Sequence, residues 1–382
     1  MKTILVLSHS GILEVNRTPY QVLSKIAFVQ VILIVPSSWK GDLIENLSYH
    51  PGKHIERFIV KALPVRISGN GSLFTFKGLS HLIKTLPTPD ILFVDEEPWS
   101  LAALQAFWVL RKIPIRCFFS KQNILKHYPW PFRQIEKWIY QSSQMAFVIS
   151  EEVQTVLQTK GFSKSCFRLS HSIDPALFKP LSSKDQANQR AKLGILKNII
   201  FLYAGRMTEE KGIKLLLSVV KKILSQPQFN AVGFLWIGNG PLLEEVKQEM
   251  KAFPSTSVQV LNAVAHNQIG SYLALCDVLI LPSQTRPHWK EQFGRILIEA
   301  MASQTAVLGS DSGEISKIIK ETGGGLVFRE NSPEELEKQI KFFIQNPEKL
   351  KLFKESGYHF ILKNFTHEAV AHRLGHDLKI MN

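Results

Sequence analysis

The sequence predicts an α/β chain built of two doubly wound domains, and three observations carry that expectation. Short apolar runs, residues 4–7 and Val278–Leu281 among them, alternate with amphipathic stretches, the pattern of strands buried on both faces beneath helices. The alternation halts at a polar linker, residues 179–198, and then restarts. A chain of 382 residues is also too long for one ordinary core. The expected domains are residues 1–178 and 179–364, with a C-terminal helix, residues 365–382, packing back onto the first.

Residues 4–7 form the first strand and run into Ser8-His9-Ser10-Gly11. A loop after the first strand of an α/β domain is a usual ligand position. Gly11 fits that reading and fits an ordinary turn equally well. A helix over 19–27 and strands over 29–35 and 55–60 follow. Between His50 and Pro87 the basic residues are Lys53, Arg57, Lys61, Arg66, Lys77 and Lys84, Glu56 is the only acid before Pro87, and Phe74, Phe76 and Leu79 are interleaved. This reads as a solvated basic face or as a face resting on anionic lipid. A strand over 90–94 leads directly into Asp95-Glu96-Glu97. Acids at the carboxyl end of a central strand place one toward a substrate crevice, although Asp95 also suits an N-cap for a helix over 99–110. Ile115–Ser120 is the next strand. Residues 121–140 mix Tyr128, Trp130, Phe132, Arg133 and Trp138, which suits a membrane interface, an apolar acceptor groove or plain helix packing. Strands over 145–149 and 167–170, with a helix over 151–161, complete the first half.

The second half opens with a strand over 199–203, then Gly205-Arg206, then Lys211-Gly212 at the start of the helix Ile213–Leu224. A glycine at a strand end beside two cations is a phosphate-binding arrangement. The next strand ends in Gly238-Asn239-Gly240-Pro241, which lacks the third glycine of a dinucleotide fingerprint. Strand Val258–Leu261 and a short helix over 271–276 lead to Val278–Leu281, a polar loop over 283–292, and a helix from Phe293 with Ile296, Leu297, Ala300 and Met301 on one face. The first amides of such a helix lack internal partners and suit an anion, and Gly294 lets a ligand approach closely. Glu291 and Glu299 bracket this turn. Taken along one helix they are about 80° apart in phase and roughly 12 Å apart in rise. They therefore suit the two ends of an extended ligand, and a nucleotide sugar has that shape. Strands over 306–308 and 326–328, charged helices over 333–363 and a last helix over 369–380 finish the chain.

The net charge is +14, of which +8 lies in residues 1–175. A basic surface attracts nucleic acid, anionic membrane or anionic substrates; no helix-turn-helix, zinc-finger or RNP pattern supports nucleic acid as a partner. Three separated cysteines, Cys117, Cys166 and Cys276, argue for a reducing cytoplasm rather than a disulfide framework. No apolar run reaches the roughly 18–20 residues of a membrane span, and residues 1–10 read as a strand rather than a signal peptide. No D-x-D run and no H-E-x-x-H run is present, so neither a metal nor another cofactor is expected.

Four motifs occur in order: Gly205-Arg206 with Lys211-Gly212, Gly238-Asn239-Gly240-Pro241, Leu281-Pro282-Ser283, and Glu291 with Glu299. Together they resemble the C-terminal half of a family 4 retaining glycosyltransferase of the GT-B fold, in glycosyltransferase group 1. The resemblance extends back to residues 170–180, where S-H-S-I-D-P-x-x-F-x-P stands for the family's G-V-D-x-x-x-F-x-P. It covers residues 170–330 well and the first half by topology alone.

The resemblance implies two Rossmann-like domains facing across a cleft and metal-independent hexosyl transfer, with retention, from a nucleoside-diphosphate sugar to an acceptor hydroxyl. It implies that Arg206 and Lys211 bind the donor diphosphate and that Glu299 holds the ribose hydroxyls. Glu291 would contact the transferred sugar, and Gly205, Gly238 and Gly240 would line the donor site. Amides of Phe293, Gly294, Arg295, Ile296 and Leu297 would complete the phosphate cradle. Gly11, Asp95, Glu96 and Glu97 are the acceptor-side candidates. Where many members carry G-G after the first strand, this chain has His9-Ser10-Gly11. The histidine often found after the fourth strand is replaced by Asp95-Glu96-Glu97, so no catalytic histidine is assigned. The usual A-S-G after the E-x7-E helix is Ala302-Ser303-Gln304. The expected partners are a nucleotide-sugar donor, a saccharide or lipid-linked acceptor, and an anionic membrane surface, with the protein cytoplasmic and peripheral on the inner membrane face. Cell-surface polysaccharide or glycolipid synthesis is the expected setting. Two rival readings stay open: a GT-B phosphorylase or sugar-nucleotide epimerase, and a non-enzymatic lipid- or polyanion-binding protein on a decayed transferase fold.

Overall fold

Parallel strands, numbered here along the chain, form one sheet in each half of the computed structural model, which describes residues 1–41, 46–52 and 54–381. The chain divides into two units, Met1–Ser172 with His367–Asn382, and Ile173–Thr366. The first unit holds β1 (Thr3–Ser8), β2 (Gln30–Pro36), β3 (Phe58–Leu63), β4 (Ile91–Asp95), β5 (Ile115–Ser120), β6 (Met145–Val148) and β7 (Ser165–Arg168). Their spatial order is β7-β6-β5-β4-β1-β2-β3, with every neighbouring pair parallel. The second unit holds β8 (Ile199–Ala204), β9 (Val232–Ile237), β10 (Val258–Leu261), β11 (Val278–Leu281), β12 (Ala306–Ser310) and β13 (Gly325–Phe328), in the order β10-β9-β8-β11-β12-β13, again all parallel. Both are Rossmann-like orders.

The strands form where the sequence is apolar on both faces. Val31 to Val35 and Ile91, Leu92 and Val94 are fully shielded, because helices cover both sides of a parallel sheet. Strand order reverses between β1 and β4 in one unit and between β8 and β11 in the other. Loops leaving neighbouring strands there turn to opposite faces and open a crevice at the carboxyl edge. The residues that follow β1, β4, β8 and β11 are therefore the ones the fold places for chemistry.

Several local expectations change. The polar linker holds the helix Ser183–Lys192, whose N-cap Ser182 accepts from the Asp185 amide. The helix docks through Arg190, which pairs with Asp277 at 2.8 Å. The unit boundary falls between Ser172 and Ile173 because Ile173 pairs with Thr366 and donates its amide to the Phe365 carbonyl. The C-terminal helix His367–Asp377 belongs to the first unit and packs on the helix Thr18–Ile26. Ser100, not Asp95, caps the helix Leu101–Val109. Phe74, Phe76 and Leu79 are buried in the first unit rather than spread on a lipid-facing surface; Lys53 lies outside the described residues. The helix after the Glu291 loop starts at Arg295, two residues later than expected, because Gly294 sits in the left-handed region at φ 75°. Glu291 is thus off the helix, and the helical phase between the two acids does not apply.

Candidate functional site

In the second unit the loops after β8 and β11 meet at the switch point. Gly205 follows β8 directly, and its amide donates to the Ile237 carbonyl at the end of β9. A Cβ on Gly238 would lie 1.9 Å from the Gly205 carbonyl oxygen, and one on Gly240 would lie 2.5 Å from that of Met207. Both glycines are needed for two backbone turns to touch, whatever approaches them from outside. Lys211 closes a short turn before the helix Ile213–Leu224.

Two groups of charge stand on this scaffold. Lys211 Nζ lies 2.6 Å from Glu291 Oε2, both largely buried, and 4.7 Å above the Trp289 ring. Ser283, just after β11, donates to the same carboxylate at 3.0 Å. The Glu291 backbone rests over Gly313, where a Cβ would come within 1.9 Å of its carbonyl oxygen. Arg206 is held loosely: its guanidinium is half exposed and 3.8 Å from Glu210. The second group is Glu299, whose Oε1 meets His266 Nε2 at 2.9 Å and Arg295 Nε at 2.9 Å. No hydrogen bond to its Oε2 is present among the described residues, and the side chain is buried. Sequence reading did not single out His266, because the loop before its helix carries no motif. The Leu297 amide donates to the Gly294 carbonyl at 2.8 Å, so the helix itself uses that amide; Gly294, Arg295 and Ile296 lie in the opening turn.

In the first unit the acidic run closes on its own partners. Asp95 accepts from Ser8 at 2.7 Å and from Lys121 at 3.2 Å. Glu97 accepts from the Ser120 hydroxyl and the Lys121 amide, each at 2.7 Å, and burial raises its pKa. Glu96 grips His9. Gly11 is buried in a 3-10 turn, its amide held by Ser8 and its carbonyl by Arg17. The fold therefore brings Gly11, Asp95 and Glu96 together around His9, which sequence reading had passed over. Among the described residues no group of three His, Cys, Asp or Glu side chains is arranged around a metal position, and no helix is long and apolar enough to cross a membrane.

Residues 185–360, all within the second unit, match the family model of group 1 glycosyl transferases. An uncharacterized glycosyltransferase of Methanocaldococcus jannaschii is 26% identical over 178 residues, 44% of this chain and 47% of that protein. A lipopolysaccharide 1,2-N-acetylglucosaminetransferase of Salmonella typhimurium is 31% identical over 141 residues, 35% of this chain and 36% of that protein. The chain thus spans half or less of the length of these curated relatives. Among solved structures, Anabaena HepE in complex with UDP superposes with a TM-score of 0.74 at 14% identity, covering 99% of this chain and all of that one. The likeness shows the fold, two Rossmann-like halves as in the GT-B glycosyltransferases.

Proposed function

We propose that the chain is a glycosyltransferase that moves a hexosyl group from a nucleoside-diphosphate sugar to an acceptor hydroxyl. The observation that carries this is the second unit's switch point: two cations, Arg206 beside Glu210 and Lys211 beside Glu291, with a further carboxylate, Glu299, whose Oε2 takes no hydrogen bond among the described residues. Arg206 and Lys211 would take the diphosphate. Neutralising the charge that grows on the departing diphosphate is the largest contribution such a site can make. Glu299 Oε2 would accept from the ribose hydroxyls, while His266 and Arg295 hold the other oxygen. Glu291 would accept from a hydroxyl of the transferred sugar, with Ser283 fixing its rotamer. The group 1 match over these same residues and the UDP bound by HepE support the donor class.

The donor needs no metal in this reading, because two side-chain cations and the opening amides of the helix Arg295–Ala302 supply the positive charge. The retaining outcome rests on the family 4 resemblance; an inverted anomeric signal in the product's NMR spectrum would refute it. Polysaccharide or glycolipid synthesis is supported by the lipopolysaccharide-acting relative. A cytoplasmic protein held at an anionic membrane fits the surface of the first unit. There Trp108 is 60% and Trp130 80% exposed, with Arg111, Lys112, Arg133 and Lys137 on the same helices or beside them. Flotation with phosphatidylglycerol vesicles should fall when Trp108 and Trp130 are both changed to Ser; equal flotation by wild type and variant would remove that surface.

The deciding experiment is a thermal-shift screen against UDP, GDP, ADP and their sugar conjugates with a chelator present. One nucleotide should raise the melting temperature, and Lys211→Ala and Glu299→Ala should abolish the shift. Lys211→Ala should also lower turnover by about two orders of magnitude. A chain that answers none of the nucleotides is not this enzyme.

A further inference from the structure

Two backbone contacts fix the loop after β8 against the loop after β11. Gly212 lies in the left-handed region at φ 70°, and a Cβ there would come 1.9 Å from the Pro282 carbonyl oxygen. Two residues away on each side, the Gln284 amide donates to the Glu210 carbonyl at 2.8 Å. Lys211 sits between Glu210 and Gly212, so its backbone is pinned beside β11. Glu291 is placed as firmly, with its own backbone over Gly313 and its carboxylate held by Ser283. The Lys211–Glu291 pair at 2.6 Å, with side chains 15% and 11% exposed, is therefore set by the fold and not by two long side chains meeting in solvent.

Arg206 is placed differently. Its side chain is 48% exposed and 3.8 Å from Glu210, so it can meet an incoming anion without giving up a buried partner. Lys211 cannot. Any anion that takes Lys211 removes the cation from Glu291, and a buried carboxylate stripped of its cation is strongly unfavourable. The ammonium has a second neighbour, the Trp289 ring 4.7 Å away, and Trp289 is held by mutual backbone bonds with Arg286 at 2.8 and 3.2 Å. Lys211 can therefore turn from Glu291 while its charge stays against the ring. Glu291 keeps Ser283 and then needs a new donor where the ammonium was.

We propose that the Lys211–Glu291 pair is a latch that selects an intact sugar donor over the spent nucleoside diphosphate. A donor brings both replacements at once: its diphosphate takes Lys211, and a hydroxyl of its sugar donates to Glu291. A nucleoside diphosphate brings only the first. It either shares Lys211 with Glu291 or leaves that carboxylate uncompensated beside its own negative charge, and both weaken its hold. The spent nucleotide thus leaves a site that re-forms its own ion pair. The sugar half of the latch rests on the proposed transferase function; the competition between Glu291 and a diphosphate for Lys211 does not.

Calorimetric titration of the full chain tests this with two ligands. One is the nucleoside diphosphate found in the thermal-shift screen. The other is its sugar conjugate with a methylene in place of the glycosidic oxygen, which cannot be transferred. The wild type should bind the conjugate at least about tenfold more tightly than the diphosphate; equal affinities overturn the latch, and this arm needs no variant. Glu291→Gln should bind the free diphosphate about tenfold more tightly than the wild type does, although it removes a charged group from the site. The conjugate gains at Lys211 roughly what it loses at the sugar hydroxyl, so its affinity should change by about threefold or less. Diphosphate binding that is unchanged or weaker in a cooperatively melting Glu291→Gln protein overturns the latch. Where that variant does not fold, the wild-type comparison decides. If the wild type binds neither nucleotide nor conjugate, the transferase reading falls and inorganic pyrophosphate becomes the probe. Glu291→Gln should bind it at least about tenfold more tightly than the wild type, and equal or absent binding overturns the competition for Lys211.

Discussion

Burial and three charges act on the imidazole of His9. Burial favours its neutral form; Glu96, by charge and by hydrogen bond, and then Asp95 favour the imidazolium, and Lys121 opposes them. The carboxylates prevail and the pKa stands above the ordinary 6.5. The sign for stability follows: a raised histidine pKa gives a contribution fully present below the unfolded value and lost as pH rises through the folded one. Glu96→Gln should therefore lower the melting temperature more on the acid side than on the alkaline side. None of this was legible in the sequence, because the two residues are 87 positions apart and only the register of β1 on β4 joins them. The Lys211–Glu291 pair, 80 positions apart, was legible as two members of a motif set but not as an ion pair.

The elements were legible where burial is continuous and illegible where polarity is uniform. β11 runs over the expected residues, since a strand covered on both faces must be apolar throughout; β5 and β10 also do, although each carries a polar residue, Arg116 and Gln259. The helix Ser183–Lys192 was read as linker because SKDQANQRAK shows no apolar stripe; its docking comes from Arg190 and Gln186 bonding to the Leu275 and Ala274 carbonyls. Phe74 and Phe76 were read with the basic residues around them, although in the fold they turn inward beneath His9 and Trp39. The end of the helix Arg295–Ala302 shows a departure that sequence did expose. Gln304 takes a position where glycine is favoured, at φ 58°. Its amide bonds to the Met301 carbonyl and that of Thr305 to the Ala300 carbonyl, the paired bonds of a Schellman ending. A side chain in the left-handed region costs about 1–2 kcal/mol, and glycine's extra freedom in the unfolded chain returns roughly half of that. Gln304→Gly should therefore stabilise the second unit by about 0.5–1 kcal/mol, read as a higher denaturant midpoint at unchanged slope. A lower midpoint would mean that the Gln304 side chain makes a contact worth more than the strain.

At the scale of the molecule, the chain passes between units twice, after Ser172 and after Thr366. The second unit is therefore one uninterrupted segment, whereas the first is completed by its C-terminal helix. Ser172 Oγ meets His367 Nδ1 at 2.8 Å, and a Cβ on Gly375 would lie 3.2 Å from Leu23 Cδ1, so the returning helix is part of the first unit's core. The two units should then respond differently to cutting. Residues 173–366 carry Arg206, Lys211, His266, Glu291, Arg295 and Glu299 with every partner described above. Expressed alone, this segment should fold and keep the nucleotide response. A ligand at about 100 times its Kd adds roughly 2.7 kcal/mol, which for a domain of this size raises Tm by roughly 5–10 °C. The complementary cut, the chain ended at Thr366, should keep that response and lose the first unit's melting transition, because the helix Thr18–Ile26 loses the surface it packs on. A segment 173–366 that melts without cooperativity, or that folds and ignores the nucleotide recognised by the full chain, would show that the donor site needs residues from the first unit. The pairing of charge within the second unit would then be scaffold rather than site.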